Sequence, residues 1–298
     1  MSDNLVRRRG AERLAVHQEV DGGRAELVPD IDRPGNWTLF MDGVPQSQVD
    51  LNDPGYLEFE YVRRMGHVID LAFPADEPLR ALHLGGGALT LPRYIAHTRP
   101  GSQQLVAEID AALTALIRDR LPLPAARRGR IRVRAEDARK TLESVPAGRY
   151  DVIVSDVFAG ARTPFHLTTA ECAQAAARAL RPGGVYLVNV ADGPPLRVIG
   201  RAVSTVRSAF REACVVAEPG VMRGRRLGNF VLAAGDQPLP LDDLRRRTAA
   251  DPFPARVADG AELARLAAAA PVVTDSAAPG DPPARSATAG ASAPAAGT

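Results

Sequence analysis

The feature that most constrains this chain is a glycine turn between a short apolar run and a helical pattern. Leu79–Leu84 reads as a buried strand, and Gly85-Gly86-Gly87-Ala88 follows directly. Leu89–His97 then carries helical spacing, with Pro92 tolerated near the first turn. The alternation continues downstream. Strands are expected at Gln104–Ile109, Ile131–Arg134, Tyr150–Ser155, Val185–Val190, Ala213–Ala217 and Asn229–Ala233. Helices are expected at Ala111–Arg120, Ala138–Val145, Thr169–Leu180 and Leu196–Phe210, with Pro182-Gly183-Gly184 as a stop before the fifth strand. Strands alternating with helices imply a doubly wound, mainly parallel α/β sheet. The last two strands have only a short link, so one of them should run antiparallel.

The segment ahead of this unit has a different rhythm. From Arg13 to Leu51, short alternating runs are broken at Asp21-Gly22-Gly23, Arg33-Pro34-Gly35-Asn36 and Asp42-Gly43. That reads as a small β domain of antiparallel hairpins over residues 13–53. Residues 54–72 place Leu57, Tyr61, Met65, Val68 and Ile69 at helical spacing, opening the larger domain of residues 54–236. Residues 237–275 read as a helical extension that includes a helix at Glu262–Ala269. Residues 1–12 read as a flexible start. Residues 276–298 hold Ala, Pro, Gly, Ser and Thr without large apolar side chains, so they read as disordered.

Composition narrows the function classes. Hydrophobic residues make up 45% of the 298, enough for a packed core, and the net charge of +2 gives no argument for nucleic acid. No run approaches the roughly 20 apolar residues of a membrane span. The start has no apolar secretion signal, so a cytoplasmic protein is expected. Cys172 and Cys214 have neither disulfide-framework nor metal spacing, and no metal is expected. Both should be small buried hydrophobes. Lys140 is the only lysine, so a pyridoxal-phosphate Schiff base would have to form there.

Four strand ends carry candidate chemistry. Glycines at 85, 86 and 87 let a ligand approach the backbone at the switch point of the sheet, or simply make a tight turn. Glu108, about 20 residues further on, suits ribose hydroxyls or a solvated strand end. Asp110 beside it suits the same ligand or the cap of the next helix. Glu136-Asp137-Ala138 ends the third strand, where Asp137 would accept from an adenine amino group or cap a helix. Asp156 ends the central strand, where a carboxylate would bind an amine and take its proton, or start an Asx turn. The Gly- and Pro-containing loop 157–166 is placed to close over that cleft. Thr90 stands where a dinucleotide fingerprint wants its third glycine, so the turn does not choose the nucleoside.

In order along the chain, several stretches resemble one family. They are Leu39-Phe40-Met41-Asp42-Gly43-Val44-Pro45-Gln46, Tyr56-Leu57-Glu58, His83-Leu84-Gly85-Gly86-Gly87, Glu108-Ile109-Asp110, Glu136-Asp137-Ala138, Tyr150 to Asp156, and Pro164 to Glu171. Over roughly residues 36–235 the chain resembles the spermidine synthases, and most closely the spermidine synthase-like proteins of high-GC bacteria.

That resemblance implies a class I methyltransferase-like sheet behind a small N-terminal β domain, and a homodimer. It implies aminopropyl transfer from decarboxylated S-adenosylmethionine, a co-substrate rather than a resident cofactor, to a small amine. It assigns Gln46, Gly85, Gly86, Gly87, Glu108, Asp110, Asp137 and Ala138 to the nucleoside. Glu108 would take the ribose and Asp137 the adenine. Asp156 becomes the catalytic acid, and Tyr56 the residue that positions the amine. Ala88 and Ala159 stand where the family writes aspartates, and no pocket tyrosine appears around Met222–Gly228. A methyltransferase using intact S-adenosylmethionine, or a nucleoside-binding protein without activity, are the rival readings.

Overall fold

A computed structural model describes residues 14–124, 129–160 and 162–277. The expectations for residues 1–12 and for nearly all of 276–298 lie outside these. Four antiparallel strands come first: β1 (Val16–Val20), β2 (Gly23–Pro29), β3 (Asn36–Met41) and β4 (Val44–Asp50). Asp42 and Gly43 both take positive φ, 50° and 77°, which is the two-residue turn that matches strand twist. Leu27, Leu39 and Val49 line the inner face and are buried with Val106, Leu113 and Ile117 of the larger unit. The small sheet therefore shares its core with the larger unit.

The larger unit is an eight-stranded sheet. Its strands are β5 (Arg80–Leu84), β6 (Ser102–Ala107), β7 (Gly129–Arg134), β8 (Tyr150–Ser155), β9 (Leu180–Asp192), β10 (Glu212–Ala217), β11 (Gly228–Gly235) and β12 (Arg256–Ala258). The order is β12-β10-β11-β9-β8-β5-β6-β7. Strands β5 to β9 pair in parallel, while β11 runs antiparallel to both β9 and β10. This is the mainly parallel sheet expected, with the reversal at its far end.

Helices cover both faces. They are α1 (Glu60–Ala72), α2 (Thr90–Thr98), α3 (Ala111–Arg120), α4 (Ala138–Ser144), α5 (Ala170–Ala179), α6 (Arg197–Arg207), the short α7 (Pro219–Met222), α8 (Leu241–Ala249) and α9 (Gly260–Leu266). The apolar residues of α1 and α2 pack with Val152, Val154, Val185 and Leu187 on one face. Those of α4, α5 and α6 pack with Leu82, Ile153 and Tyr186 on the other. Cys172 and Cys214 are buried in these layers, and burial pushes both thiols up to about 12.

Three elements differ from expectation. Helix α1 starts at Glu60, because Pro54, Gly55 and the extended residues after them delay it. Pro182-Gly183-Gly184 does not separate helix from strand. Leu180 already pairs with Tyr150, and the register of β8 against β9 shifts so that the Pro-Gly-Gly is absorbed as an irregularity, with Gly183 at φ 77°. The C-terminal extension is not wholly helical. Strand β12 adds to β10 through three residues, too few for alternation to be read. Among the described residues, no helix is long and apolar enough to cross a membrane, and no His/Cys/Asp/Glu group is arranged to hold a metal.

Candidate active site

The carboxyl ends of β5, β6 and β8 converge on the glycine turn. Gly85 takes φ 93°, and a Cβ there would fall 2.2 Å from the carbonyl oxygen of Asp156. Only glycine permits the two strand ends to lie this close. A Cβ on Gly87 would fall 2.5 Å from Oγ of Ser47. Strand β4 thus lies against the turn. Ala88 donates its amide to Ser47 Oγ at 3.3 Å, and Thr90 donates its hydroxyl to the Gln48 carbonyl at 2.9 Å. Gln46, assigned to the nucleoside, is half-buried two residues before Gln48 on the same strand. Ser47 was not singled out by sequence; only its position beside Gln46 hinted at it.

Glu108 splints the turn from the next strand. Its Oε2 accepts from the amides of Gly86 at 2.9 Å and Gly87 at 3.3 Å, and its Oε1 accepts from Asp110 N at 3.0 Å. A carboxylate offers about four acceptor positions, so one is left for a ribose hydroxyl. Asp110 is different. Its Oδ1 caps α3 through Leu113 N at 2.7 Å, and its Oδ2 accepts from Gly22 N in the β1–β2 turn at 2.7 Å. Buried and engaged at both oxygens, Asp110 is a cap and a clamp between the two sheets.

Asp137 also caps a helix, accepting from Lys140 N at 3.0 Å. Its other oxygen meets His166 Nε2 at 2.9 Å. Burial opposes ionisation, but the Lys140 amide and His166 hold this carboxyl below its ordinary value. Ala138 is buried next to it. His166, from the turn after β8, therefore occupies the Asp137 oxygen that does not cap the helix.

Asp156 is half-buried and accepts two hydrogen bonds. Asn189 Nδ2 on β9 donates to Oδ1 at 2.9 Å, and the Tyr61 hydroxyl on α1 donates to Oδ2 at 3.2 Å. Burial pushes the carboxyl above its ordinary value, against the pull of these two donors. The same burial and the neighbouring carboxylate push the Tyr61 hydroxyl well up.

Tyr56 does not join this group. Its hydroxyl bonds to Glu58, its ring lies under the Arg33 guanidinium at 3.7 Å, and it lines a separate hollow with Arg63, His67, Asp70, Tyr94 and Arg247. Tyr61, and not Tyr56, is the tyrosine bonded to Asp156. In the sequence Tyr61 counted only as one apolar site of a helix, and Asn189 as one residue of an apolar strand. Neither carries a local signal of its partner.

The family model for the spermine/spermidine synthase domain matches residues 58–219. A polyamine aminopropyltransferase of Chromobacterium violaceum is 29% identical over 144 residues, 48% of this chain and 53% of that protein, so the chain spans about half the length of this relative. The crystal structure of a probable spermidine synthase from Corynebacterium glutamicum is 33% identical, with a TM-score of 0.82 over 90% of this chain and 99% of its own. A spermidine synthase in complex with the transition-state analogue AdoDATO shares the fold, with a TM-score of 0.55 at 16% identity over 79% of this chain and 77% of its own. With that match over more than half its length, this chain belongs to the spermine/spermidine synthase family.

Proposed function

We propose that this chain is an aminopropyltransferase, moving the 3-aminopropyl group of decarboxylated S-adenosylmethionine to a small amine. The reading rests on one observation above all. A desolvated carboxylate, Asp156, is held by Tyr61 and Asn189, on a residue whose backbone carbonyl lies against the glycine turn. The AdoDATO complex of a spermidine synthase with the same fold is consistent with such a donor.

In this reading the nucleoside lies along Gly85–Gly87, with its ribose on Glu108 and its adenine on Asp137 once His166 lets go. The acceptor nitrogen attacks the propyl carbon bonded to S⁺. The C–N bond forms, the C–S bond breaks, and methylthioadenosine leaves neutral. Free alkyl ammonium groups have pKa near ~10, so the acceptor arrives protonated. Asp156 binds it and takes the proton, which burial makes easier by raising the carboxyl. Tyr61 and Asn189 fix the carboxylate's direction, and positioning supplies most of the acceleration.

We also take the chain to act as a cytoplasmic homodimer, as the family resemblance implies. The test is methylthioadenosine release from decarboxylated S-adenosylmethionine with an amine panel. Asp156→Asn should abolish it. Turnover only with intact S-adenosylmethionine would make the chain a methyltransferase instead.

A further inference from the structure

The chain after α9 stays on the body of the molecule and returns to the turn that carries His166. Ser204 Oγ on α6 donates to the Ala267 carbonyl at 3.4 Å. Val273 donates its amide to Thr205 Oγ1, also on α6, at 3.0 Å. Its carbonyl accepts from Ala170 N at 2.7 Å. Ala170 is the first residue of α5, so this contact satisfies one of the amides that a helix start leaves open. Asp275 then donates its amide to Glu171 Oε2 at 3.0 Å. Residues 267–275 thus form a strap across α6 and the start of α5.

The strap ends on Arg139, in the first turn of α4. The Asp275 carboxylate accepts from Arg139 Nη1 at 3.4 Å and from Nη2 at 3.1 Å, a two-pronged pair. Nη1 also donates to the His166 carbonyl at 2.8 Å and to Thr169 Oγ1 at 3.1 Å, while Nε donates to Glu143 at 2.6 Å. The Arg139 side chain is only 12% exposed, so these partners rather than water fix its plane. The Thr169 hydroxyl and Arg139 hold the Asp275 carboxyl below its ordinary value.

His166 is therefore held at two points from the start of one helix. Its ring meets Asp137 Oδ2 at 2.9 Å, and its carbonyl meets Arg139, two residues further on. Fixing the carbonyl keeps the imidazole within reach of Asp137, which reduces the entropy lost when the ring bond forms. The contacts run in series from the strap to Arg139, to the His166 carbonyl, and through the imidazole to Asp137.

Resting on the aminopropyltransferase reading, in which adenine takes Asp137, we propose that the strap latches the nucleoside site. Asp275 acts through Arg139 as a positioning residue. It steadies the His166 turn, which keeps the imidazole on Asp137 until a nucleoside displaces it. Release of the strap loosens the turn and raises the fraction of protein with Asp137 open. Apparent affinity for the nucleoside rises with that fraction. The C-terminal segment thus sets how readily the donor enters.

The test is a double-mutant cycle on the full chain, read by calorimetry with methylthioadenosine. Asp275→Ala should tighten binding by about twofold to fivefold, the range of a partly exposed ion pair. In a His166→Ala background the same substitution should change affinity by less than about 1.5-fold, because no imidazole is left to steady. Asp275→Asn keeps an acceptor and should fall between wild type and Asp275→Ala. A purely structural role for Asp275 lowers affinity or leaves it unchanged, so a gain separates the two. Weaker or unchanged binding in both Asp275 variants would overturn the latch. So would a tightening of equal size in both backgrounds.

A second arm needs no ligand. The amides of Leu167 and Thr168 close the His166 turn onto the carbonyls of Pro164 and Phe165 at 3.0 and 2.9 Å. Their hydrogen exchange should quicken by about twofold to fivefold in Asp275→Ala while β8 keeps its rate. Unchanged exchange at these amides would overturn the proposal. Quickened exchange with methylthioadenosine bound by no variant would uphold the hold on the turn and sink the aminopropyltransferase reading instead.

Discussion

Tyr61 donates its hydroxyl to Asp156 at 3.2 Å, across 95 residues of sequence. This bond, not one from Tyr56, orients the carboxylate. Tyr61→Phe should lower kcat by about tenfold to a hundredfold, since a hydrogen bond to a charged group is worth ~1.5–3 kcal/mol. Tyr56→Phe should leave kcat within about twofold, because its hydroxyl serves only Glu58. Steady-state kinetics of the two variants side by side decide the assignment. The reverse pattern would return the role to Tyr56.

Asp156 also gives a pH signature in stability. Burial raises its carboxyl, so the fold favours the protonated form. That contribution is complete below the unfolded value near ~3.9 and is lost as pH rises through the higher folded value. Asp156→Asn, inactive in transfer, should therefore melt above the parent at pH 7. The gap should close as pH falls toward ~4. Thermal melts across that range read it directly, and a gap independent of pH would mean the carboxyl is not desolvated.

With adenine on Asp137, as proposed, the His166–Asp137 bond at 2.9 Å would compete with it. His166→Ala should free the carboxylate and tighten methylthioadenosine by about threefold to tenfold, the worth of one such bond. Glu108→Ala should weaken the same ligand by about tenfold or more, through the ribose contact and the unsplinted glycine turn. Calorimetry on both variants is the measurement. Weaker binding in His166→Ala would mean that the histidine contacts the nucleoside itself.

Asp110 should matter for stability rather than affinity. Asp110→Ala removes a helix cap, typically ~1 kcal/mol, and the bond to Gly22 that ties the small sheet down. The melting temperature should fall by a few degrees, and hydrogen exchange should quicken at the Gly22 amide before it does in β8. A preserved melt with lost methylthioadenosine affinity would instead make Asp110 a ligand residue.

What was legible in the sequence follows from the range of each interaction. The boundaries of α3 and β8 were read to the residue, because each has its own periodicity and, for α3, a local cap at Asp110. The strand-end acids were legible because the α/β fold sends strand ends to one cleft. Tyr61 and Asn189 were not, because their partner Asp156 lies on another element. A tyrosine on an apolar helix face has the same local pattern whether it meets a leucine or an aspartate. Strand β12 was lost for the opposite reason, being stabilised almost wholly by its neighbour β10.

The close approach of Gly85 to the Asp156 carbonyl, which would leave an added Cβ only 2.2 Å away, ties the two strand ends together. A side chain at position 85 would push the β8 end outward and carry Asp156 with it. Gly85→Ala should thus damage turnover as well as docking of the nucleoside, though residue 85 has no side chain and takes no part in the chemistry. In a random mutant library, changes here would be scored with changes at Asp156. The steric allowance at this one backbone position fixes the distance between binding and reaction, and the rest of the turn is free to vary only around it.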